Sequence, residues 1–286
     1  MSDSRVEAVR AYYDRNTAKF ERLGQGGASI HRAVWGAGVT TRAEAFHFVD
    51  QRIALEIAQT KRHGARVLDL GCGLGESLLW LARRESSLTG VGVTLSGVQA
   101  ARTSERLHAA GLTSRLVALE ADFTQLPESL GKFDVAYAIE SFVHCPDAPA
   151  FFANAAGRLV PAGRLLICDD FQAREAASAS EERWLHAIRH GWMGHGLTLR
   201  SNAIALAEDH GLALEDDVDL TPDLELTRPR DRLISAFLAL TRPLGLDGYY
   251  YRSLDGGDAL QKALLARLVE YRILVFTHVS RDRKEP

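Results

Sequence analysis

One glycine-rich loop constrains the fold of this chain more than any other feature. The apolar run 67–70 leads into Gly71, Gly73 and Gly75, and a helical pattern follows over Glu76–Arg84. Glycines at such spacing let the backbone turn tightly and let a ligand approach it closely. A strand, a glycine-rich turn and a helix in this order predict a ligand-binding unit of a parallel sheet.

The middle of the chain continues this alternation of strand and helix patterns, which predicts an α/β fold. We divide the chain into an N-terminal helical segment (1–63), a ligand-binding α/β core (64–170) and a C-terminal part (171–286). The last part combines cap helices with two late strands of the same sheet. Helices at both ends of the chain are expected to cover the edge of the sheet where ligands bind. Further core strands are predicted at Val91–Leu95, Leu116–Glu120, Phe133–Ile139 and Arg164–Asp169, and the late ones at Ala213–Val218 and Tyr271–Val279.

Charge and cysteine content exclude several classes of protein. The 286 residues include 34 basic and 37 acidic side chains, a formal net charge of −3, so no global basic field attracts nucleic acid; a local basic cluster is still allowed. Three scattered cysteines do not form a disulfide framework or a zinc motif, and they suit the reducing cytoplasm. No signal peptide and no run of about 18 apolar residues is present, so we expect a cytoplasmic protein without membrane insertion.

Two kinds of ligand compete for the glycine loop. A dinucleotide site requires G-x-G-x-x-G, but Glu76 stands at the third glycine position, where its charge would repel a pyrophosphate. The loop with its preceding acid, Asp69, instead reads D-x-G-x-G-x-G. This pattern resembles motif I of the class I S-adenosylmethionine-dependent methyltransferases. The resemblance covers about residues 64–170 and implies a Rossmann-like sheet of parallel strands with a late antiparallel strand. It also implies S-adenosylmethionine as the cofactor, held at Asp69 and at the three glycines.

Two further segments refine this resemblance. Gly92–Gln99 reads GVTLSGVQ, with Thr94 where most of these enzymes place an acid for the ribose. It resembles the carbon-methylating subgroup of cyclopropane-lipid synthases and sterol and isoprenoid methyltransferases, which implies that Gln99 binds the ribose. A capping box with Ser96 explains Gln99 equally well. The resemblance assigns Asp122 to the adenine amino group and Phe123 to the adenine ring.

A second motif points to methylation of carbon. Glu140, His144 and the following Pro-Asp resemble the E-x-x-x-H-x-P-D segment of sterol and tocopherol-type methyltransferases. Methylation of an alkene leaves a carbocation, which a carboxylate stabilises and a base deprotonates. Glu140 is the first candidate for this role and His144 the second. As alternatives, Glu140 binds the cofactor ammonium group or anchors a loop, and His144 is structural.

The covering segments supply candidates for closure and for substrate binding. In the first helix, Tyr12 is expected to close over the sulfonium, whereas Tyr13 follows the apolar packing stripe. A basic and aromatic cluster could bind a diphosphate beside an isoprenoid chain, or Trp35 could pack in the core beside a surface pair. Asp170 could bind Mg²⁺ together with a diphosphate, or form part of a loop turn. The proposed substrate-binding residues are Arg15, His31, Arg32, Trp35, Arg42 and Tyr250.

The sequence therefore predicts a methyltransferase that uses S-adenosylmethionine to methylate an alkene carbon of an isoprenoid, specifically an isoprenyl diphosphate, in terpenoid or other secondary metabolism. The alternative is an O- or N-methyltransferase of a small natural product. A nicotinamide-dependent dehydrogenase is disfavoured by Glu76 and Thr94, and a non-catalytic binding module is the remaining class. No nucleic-acid partner is expected, and assembly into a homo-oligomer is left open.

Overall fold

The computed structural model describes residues 2–23, 31–245 and 248–279. Its centre is one sheet of seven strands. In chain order the strands are β1 (Arg66–Leu70), β2 (Thr89–Thr94), β3 (Leu116–Glu120), β4 (Phe133–Ile139), β5 (Leu159–Gln172), β6 (Leu212–Asp219) and β7 (Val269–His278). Their order across the sheet is β3-β2-β1-β4-β5-β7-β6.

Helices pack on both faces of this sheet. The two faces carry separate apolar cores; Ile53 and Leu78 belong to one, and Phe151 and Ala203 to the other. The helices are α1 (Ser2–Leu23), α2 (Arg42–Phe46), α3 (Phe48–Gln59), α4 (Glu76–Arg84), α5 (Gly97–Ala109), α6 (Ala148–Arg158), α7 (Ala179–Gly191), α8 (Arg200–Asp209), α9 (Pro229–Thr241) and α10 (Tyr249–Leu265). None of the described helices has the length and hydropathy needed to span a bilayer.

Strand directions confirm the predicted Rossmann-like fold. β1 pairs in parallel with β2 and β4, and the same direction continues to β3 and β5. β7 is antiparallel to both β5 and β6, as expected for a late antiparallel strand. The carboxyl ends of β1 to β5 therefore meet at one edge of the sheet, which is where ligands bind in such folds.

The strand predicted at Arg164–Asp169 is longer than the sequence suggests. β5 begins at Leu159, which pairs with Phe133, and the next paired residues are Arg164 and Val135. The sequence 161–163 (Pro-Ala-Gly) between them forms an irregularity with Ala162 at φ 59°. Proline and glycine at these positions predict a turn, and the turn lies inside the strand because pairing with β4 continues on both sides of it.

The sequence Thr41-Arg42-Ala43-Glu44 is a capping box that predicts the start of one helix, but the structure has two helices here. Thr41 and Glu44 form the expected capping box, but the first helix ends at His47 and α3 follows at once. The His47 ring stacks on Trp80 at 5.3 Å, and its Nδ1 lies 2.7 Å from Asp50 Oδ2. These contacts fix His47 outside helical dihedral angles. The apolar stripe predicted for this region is buried as expected, at Phe46, Val49, Ile53 and Ile57.

The pattern of residues Ala259–Leu268 predicts a helix, and in the structure α10 begins ten residues earlier and includes two glycines. The structure gives Gly256 a packing role against α7. A Cβ on Gly191 of α7 would lie 2.1 Å from the Arg252 carbonyl oxygen, and one on Gly256 would lie 3.0 Å from the Ala187 carbonyl oxygen. The two helices approach this closely only because both carry glycine at the crossing.

Candidate active site

A cavity of about 770 Å³ opens at the carboxyl edge of the parallel strands. The glycine loop after β1 and the residues after β2, β3, β4 and β5 line one side of it. α1, α9 and α10 cover the other side. The predicted lid and cap thus enclose the ligand edge of the sheet, and this arrangement accommodates a cofactor together with an acceptor molecule.

The glycine loop has the backbone geometry that its sequence predicts. Gly71, Gly73 and Gly75 have φ angles of 100°, 52° and 71°. A Cβ on Gly71 would lie 2.4 Å from Ser141 Cβ, so no larger residue fits there. The Gly71 amide donates a 2.9 Å hydrogen bond to the Val93 carbonyl oxygen, which fixes the loop against β2. Gly71 and Gly73 form part of the cavity wall, as a cofactor cradle requires.

Gln99 carries an unsatisfied donor at the cavity. Its backbone amide donates to Ser96 Oγ at 3.1 Å and thereby caps α5, and its Oε1 accepts a 2.8 Å bond from the Thr94 hydroxyl. The buried Nε2 has no hydrogen-bond partner among the described residues. Capping therefore uses only the backbone, and the side chain is left for a ligand. A donor next to Thr94 in this position fits a ribose hydroxyl oxygen of S-adenosylmethionine.

The other predicted cofactor residues differ in their placement. Asp122 and Phe123 line the cavity. Asp122 Oδ1 accepts from the Thr124 amide at 2.8 Å, and Phe123 packs edge-on against Phe151 at 5.3 Å. Asp69 is instead buried beneath the glycine loop, 4% exposed, where burial raises the pKa of its carboxyl group. Asp69 and Gly75 are not on the cavity wall, so their contribution is to shape the loop.

Replacing Gln99 with methionine tests whether the unsatisfied Nε2 of Gln99 binds the cofactor. We expect the affinity for S-adenosylhomocysteine to fall about fivefold, because one hydrogen bond of about 1 kcal/mol is lost. The melting temperature is expected to fall slightly, because the Thr94 hydroxyl loses its acceptor on Gln99 while the backbone cap on Ser96 remains. Isothermal titration calorimetry measures the affinity, and the exposed Gln51→Met on α3 is the control. Equal affinities of the two variants would remove Gln99 from the cofactor site.

His144 and Tyr13 form a hydrogen-bonded pair inside the cavity. His144 Nδ1 lies 3.1 Å from the Met193 carbonyl oxygen, and His144 Nε2 lies 2.9 Å from the Tyr13 hydroxyl oxygen. A carbonyl only accepts, so Nδ1 carries the proton, and Nε2 accepts the hydrogen bond that the Tyr13 hydroxyl donates. Burial lowers the pKa of His144, and the hydrogen bond to Met193 and the charge of Glu140 offset only part of this shift. The imidazole is therefore held neutral, with its basic nitrogen at the cavity.

The sequence did not predict that Tyr13 contacts His144. Tyr13 lies on the packing stripe of α1, yet its hydroxyl reaches His144 across the cavity. Tyr12 also lines the cavity and packs edge-on against Tyr13 at 5.2 Å. A tyrosine can bury its ring and still use its hydroxyl, so the helical stripe did not exclude Tyr13 from the site.

Glu140 lies in a network of hydrogen bonds at the base of the cavity. Its Oε1 accepts from the Arg32 amide at 2.8 Å and from the Tyr271 hydroxyl at 2.9 Å. Its backbone has a φ of 48°, which is unusual for a residue other than glycine. Tyr271, which the sequence did not suggest as a site residue, thus fixes the direction of the Glu140 side chain.

The predicted diphosphate cluster is not assembled. Arg32 and His31 line the cavity, but the Arg32 guanidinium is engaged by both Asp170 oxygens at 2.7 and 2.6 Å. Arg15 lies over the Tyr249 ring at 5.4 Å, and Arg42 lies 3.3 Å from Glu225. Trp35 packs beside a small apolar cluster. Arg15, Trp35 and Arg42 are absent from the cavity wall, whereas the largely exposed Tyr250 lies at its rim.

The suggested magnesium role of Asp170 also needs correction. Both of its carboxylate oxygens bind Arg32, and its side chain is only 3% exposed. Within the described ranges, no group of three or more His, Cys, Asp or Glu side chains is arranged to hold a metal ion. Asp170 acts here as the counterion of a buried arginine.

The lid helix is fixed to both sides of the cavity. On the cofactor side, Arg10 of α1 lies 2.9 Å from Glu120 at the end of β3. On the opposite side, Asn16 Nδ2 donates a 2.7 Å hydrogen bond to the Tyr249 hydroxyl oxygen of α10. α1 therefore bridges the two halves of the site.

Comparisons with known proteins agree with this geometry. Residues 67–163 match the family model described as a methyltransferase domain. The chain is 29% identical over 265 residues to methyltransferase GfsG of Streptomyces halstedii, covering 90% of this chain and 91% of that one. It is 32% identical over 167 residues to O-methyltransferase rstn1 of Aspergillus nomiae, covering 57% of this chain and 71% of the relative. Cyclopropane synthase MmaA2 of Mycobacterium tuberculosis shares the fold, with a TM-score of 0.75 at 18% identity over 95% of this chain and 98% of that one.

A Rossmann-like sheet with a glycine cradle and an enclosed acceptor cavity defines a cofactor-dependent transferase. Together with these relatives, it shows that the chain belongs to the class I S-adenosylmethionine-dependent methyltransferases.

Proposed function

We propose that this enzyme methylates a hydroxyl group of a lipophilic small molecule, with His144 as the general base. One observation carries the proposal: a buried, neutral imidazole accepts the Tyr13 hydroxyl proton at Nε2 while Nδ1 is held by Met193, so the Tyr13 oxygen on the cavity wall is backed by a base. A hydroxyl group is a weak nucleophile and loses a proton on methylation, so a positioned base is what oxygen methylation needs. The O-methyltransferase rstn1 among the relatives supports methylation of oxygen.

Each residue of this chain has a defined task in such a reaction. S-adenosylmethionine supplies a methyl group on positively charged sulfur. As the acceptor oxygen bonds to the methyl carbon, the Tyr13 oxygen accepts the hydroxyl proton and Tyr13 passes its own proton to His144 Nε2, while the electron pair of the broken carbon–sulfur bond stays on sulfur. The bond from Nδ1 to Met193 holds the ring in place as it becomes positively charged. α1 and the cap helices exclude water and align the two reactants.

Methylation of an alkene carbon, the first expectation from the sequence, is the second candidate. The carboxylate of Glu140 lies on the cavity wall, where it could stabilise a carbocation. However, Oε1 of Glu140 already accepts two hydrogen bonds, and Arg32 is already paired with Asp170. The pairing of Arg32 gives little support to an isoprenyl diphosphate bound with Mg²⁺.

A labelling experiment distinguishes the two candidates. The enzyme is given S-adenosylmethionine with a trideuterated methyl group, and each of three acceptors: a hydroxylated macrolide, a prenylated phenol and geranyl diphosphate with Mg²⁺. Mass spectrometry and carbon NMR then locate the label. We expect label on oxygen of the hydroxylated acceptors and none on geranyl diphosphate. Label on an alkene carbon would overturn the proposal in favour of the second candidate.

A further inference from the structure

The outer face of α9 exposes a line of large apolar side chains. Of the thirteen residues of α9, Leu238 alone is buried. Leu233, Phe237 and Leu240 are 73%, 48% and 79% exposed, and Leu244, in the short turn after α9, is 69% exposed. Their spacing of four, three and four residues places them on one face of the helix. Contiguous exposed apolar patches of this kind mark interaction sites on soluble proteins.

This apolar line borders the opening of the active-site cavity. Ile234 and Ser235 of α9 line the cavity from the adjacent face of the helix. Tyr250, at the start of α10, is 70% exposed and also lines the cavity. We call the surface formed by Leu233, Phe237, Leu240, Leu244 and Tyr250 the α9 patch. Whatever covers this patch also lies against the entrance used by the acceptor.

Positive charge accompanies the α9 patch. Arg230 and Arg232 are exposed, and neither lies within ion-pair distance of a carboxylate among the described residues. The one acidic residue of α9, Asp231, pairs with Arg228 at 3.1 Å. Arginines in the first turn of a helix are unfavourable beside the positive end of its dipole. This end of the patch therefore attracts an anionic partner.

We propose that the α9 patch docks on an anionic membrane surface. An amphipathic helix that lies in a membrane interface presents leucine and phenylalanine to the acyl region and arginine to anionic headgroups. Tyrosine is enriched at the same depth. The patch has the leucine, phenylalanine and tyrosine side chains, and Arg230 and Arg232 lie beside it in the first turn of α9. A second copy of this chain fits less well, because a two-fold interface must be self-complementary and the patch has no carboxylate for its arginines.

Docking in this way connects the bilayer to the active site. The cavity mouth faces the lipid surface, so a lipophilic acceptor passes from the membrane into the cavity without crossing water. The energetic barrier to transfer of an apolar molecule through water is thereby avoided. Membrane contact is measured without turnover, so its result is independent of which atom the enzyme methylates.

Vesicle binding by the full-length protein tests this proposal. Partitioning is measured by co-flotation with vesicles of phosphatidylcholine alone or mixed with phosphatidylglycerol. We expect at least about tenfold stronger partitioning onto the anionic vesicles. Leu240→Gln is expected to weaken this partitioning several-fold, whereas Leu55→Gln, an exposed leucine on α3, leaves it unchanged. The double variant Arg230→Gln/Arg232→Gln is expected to lose the preference for anionic lipid.

Two results would overturn the proposal. One is equal partitioning of wild type, Leu240→Gln and Leu55→Gln, or no partitioning onto either vesicle. The other is a dimer, detected by light scattering, that Leu240→Gln dissociates, since the patch would then be an interface between two copies. Circular dichroism of each variant distinguishes a loss of vesicle binding from a loss of folding.

Discussion

Replacing His144 with asparagine is expected to lower kcat by about 10²- to 10⁴-fold, the usual contribution of a general base. Asparagine keeps a donor for the Met193 carbonyl oxygen but has no basic nitrogen at the cavity. The affinity for S-adenosylhomocysteine should remain within about twofold of wild type, because His144 lies on the acceptor side. The control is His186→Asn on the exposed face of α7. Near-normal turnover by His144→Asn would reject the general-base role.

The pH dependence of kcat/KM gives a second test of the general-base role of His144. Burial lowers the pKa of His144, and the neutral form is the active one. Activity should therefore be level through neutral pH and decline only below about 6.5, the ordinary histidine value. His144→Asn should lack this acidic decline. An acidic limb that persists in the variant would assign the titration to another group.

Replacing Arg32 with methionine is expected to reduce the free energy of unfolding by about 3–5 kcal/mol, the typical result of leaving a buried charge without its partner. Asp170 is 3% exposed and Arg32 is 20% exposed, so water compensates little for the lost ion pair. Asp169 beside it is also buried, and burial followed by the charge of Asp170 raises the pKa of Asp169. Urea unfolding measures the change.

The double variant Arg32→Met/Asp170→Asn is the decisive comparison. Removing both charges should recover a large part of the lost stability, because no unpaired carboxylate remains. Arg42→Met, whose partner Glu225 is partly exposed, should change stability by less than about 1 kcal/mol. If Arg32→Met were as stable as wild type and instead raised KM for geranyl diphosphate, Arg32 would be a substrate ligand, as the sequence first suggested.

The features predicted correctly from the sequence are those that depend on residues close together in the chain. The loop around Gly71 and Gly73 and the strand at Phe133–Ile139 depend on residues a few positions apart. The contacts that the sequence did not predict join residues far apart in the chain. Tyr13 meets His144 across 131 positions, and Arg32 meets Asp170 across 138.

Periodic patterns in the sequence do not reveal such pairs. A local role is enough to explain why each of these side chains occurs at its position. Tyr13 fits a helical packing stripe, and Arg32 beside His31 resembles an exposed basic pair. Only the folded chain shows that a carboxylate already neutralises Arg32. The residues proposed to bind a diphosphate are not brought together for that reason, whereas Thr94 and Gln99, the residues predicted for the ribose, lie five positions apart and share a hydrogen bond.

The attachment of α1 to both halves of the cavity has a kinetic consequence. Arg10 holds the helix to the strand beside the cofactor, and Asn16 holds it to the helix above the acceptor. Because one helix is attached on both sides, a movement of α1 that releases one ligand also loosens the wall around the other, which couples departure of the demethylated cofactor to departure of the methylated product. Slow opening would then limit turnover after chemistry is complete, and accumulated S-adenosylhomocysteine would retain the enzyme in its closed form.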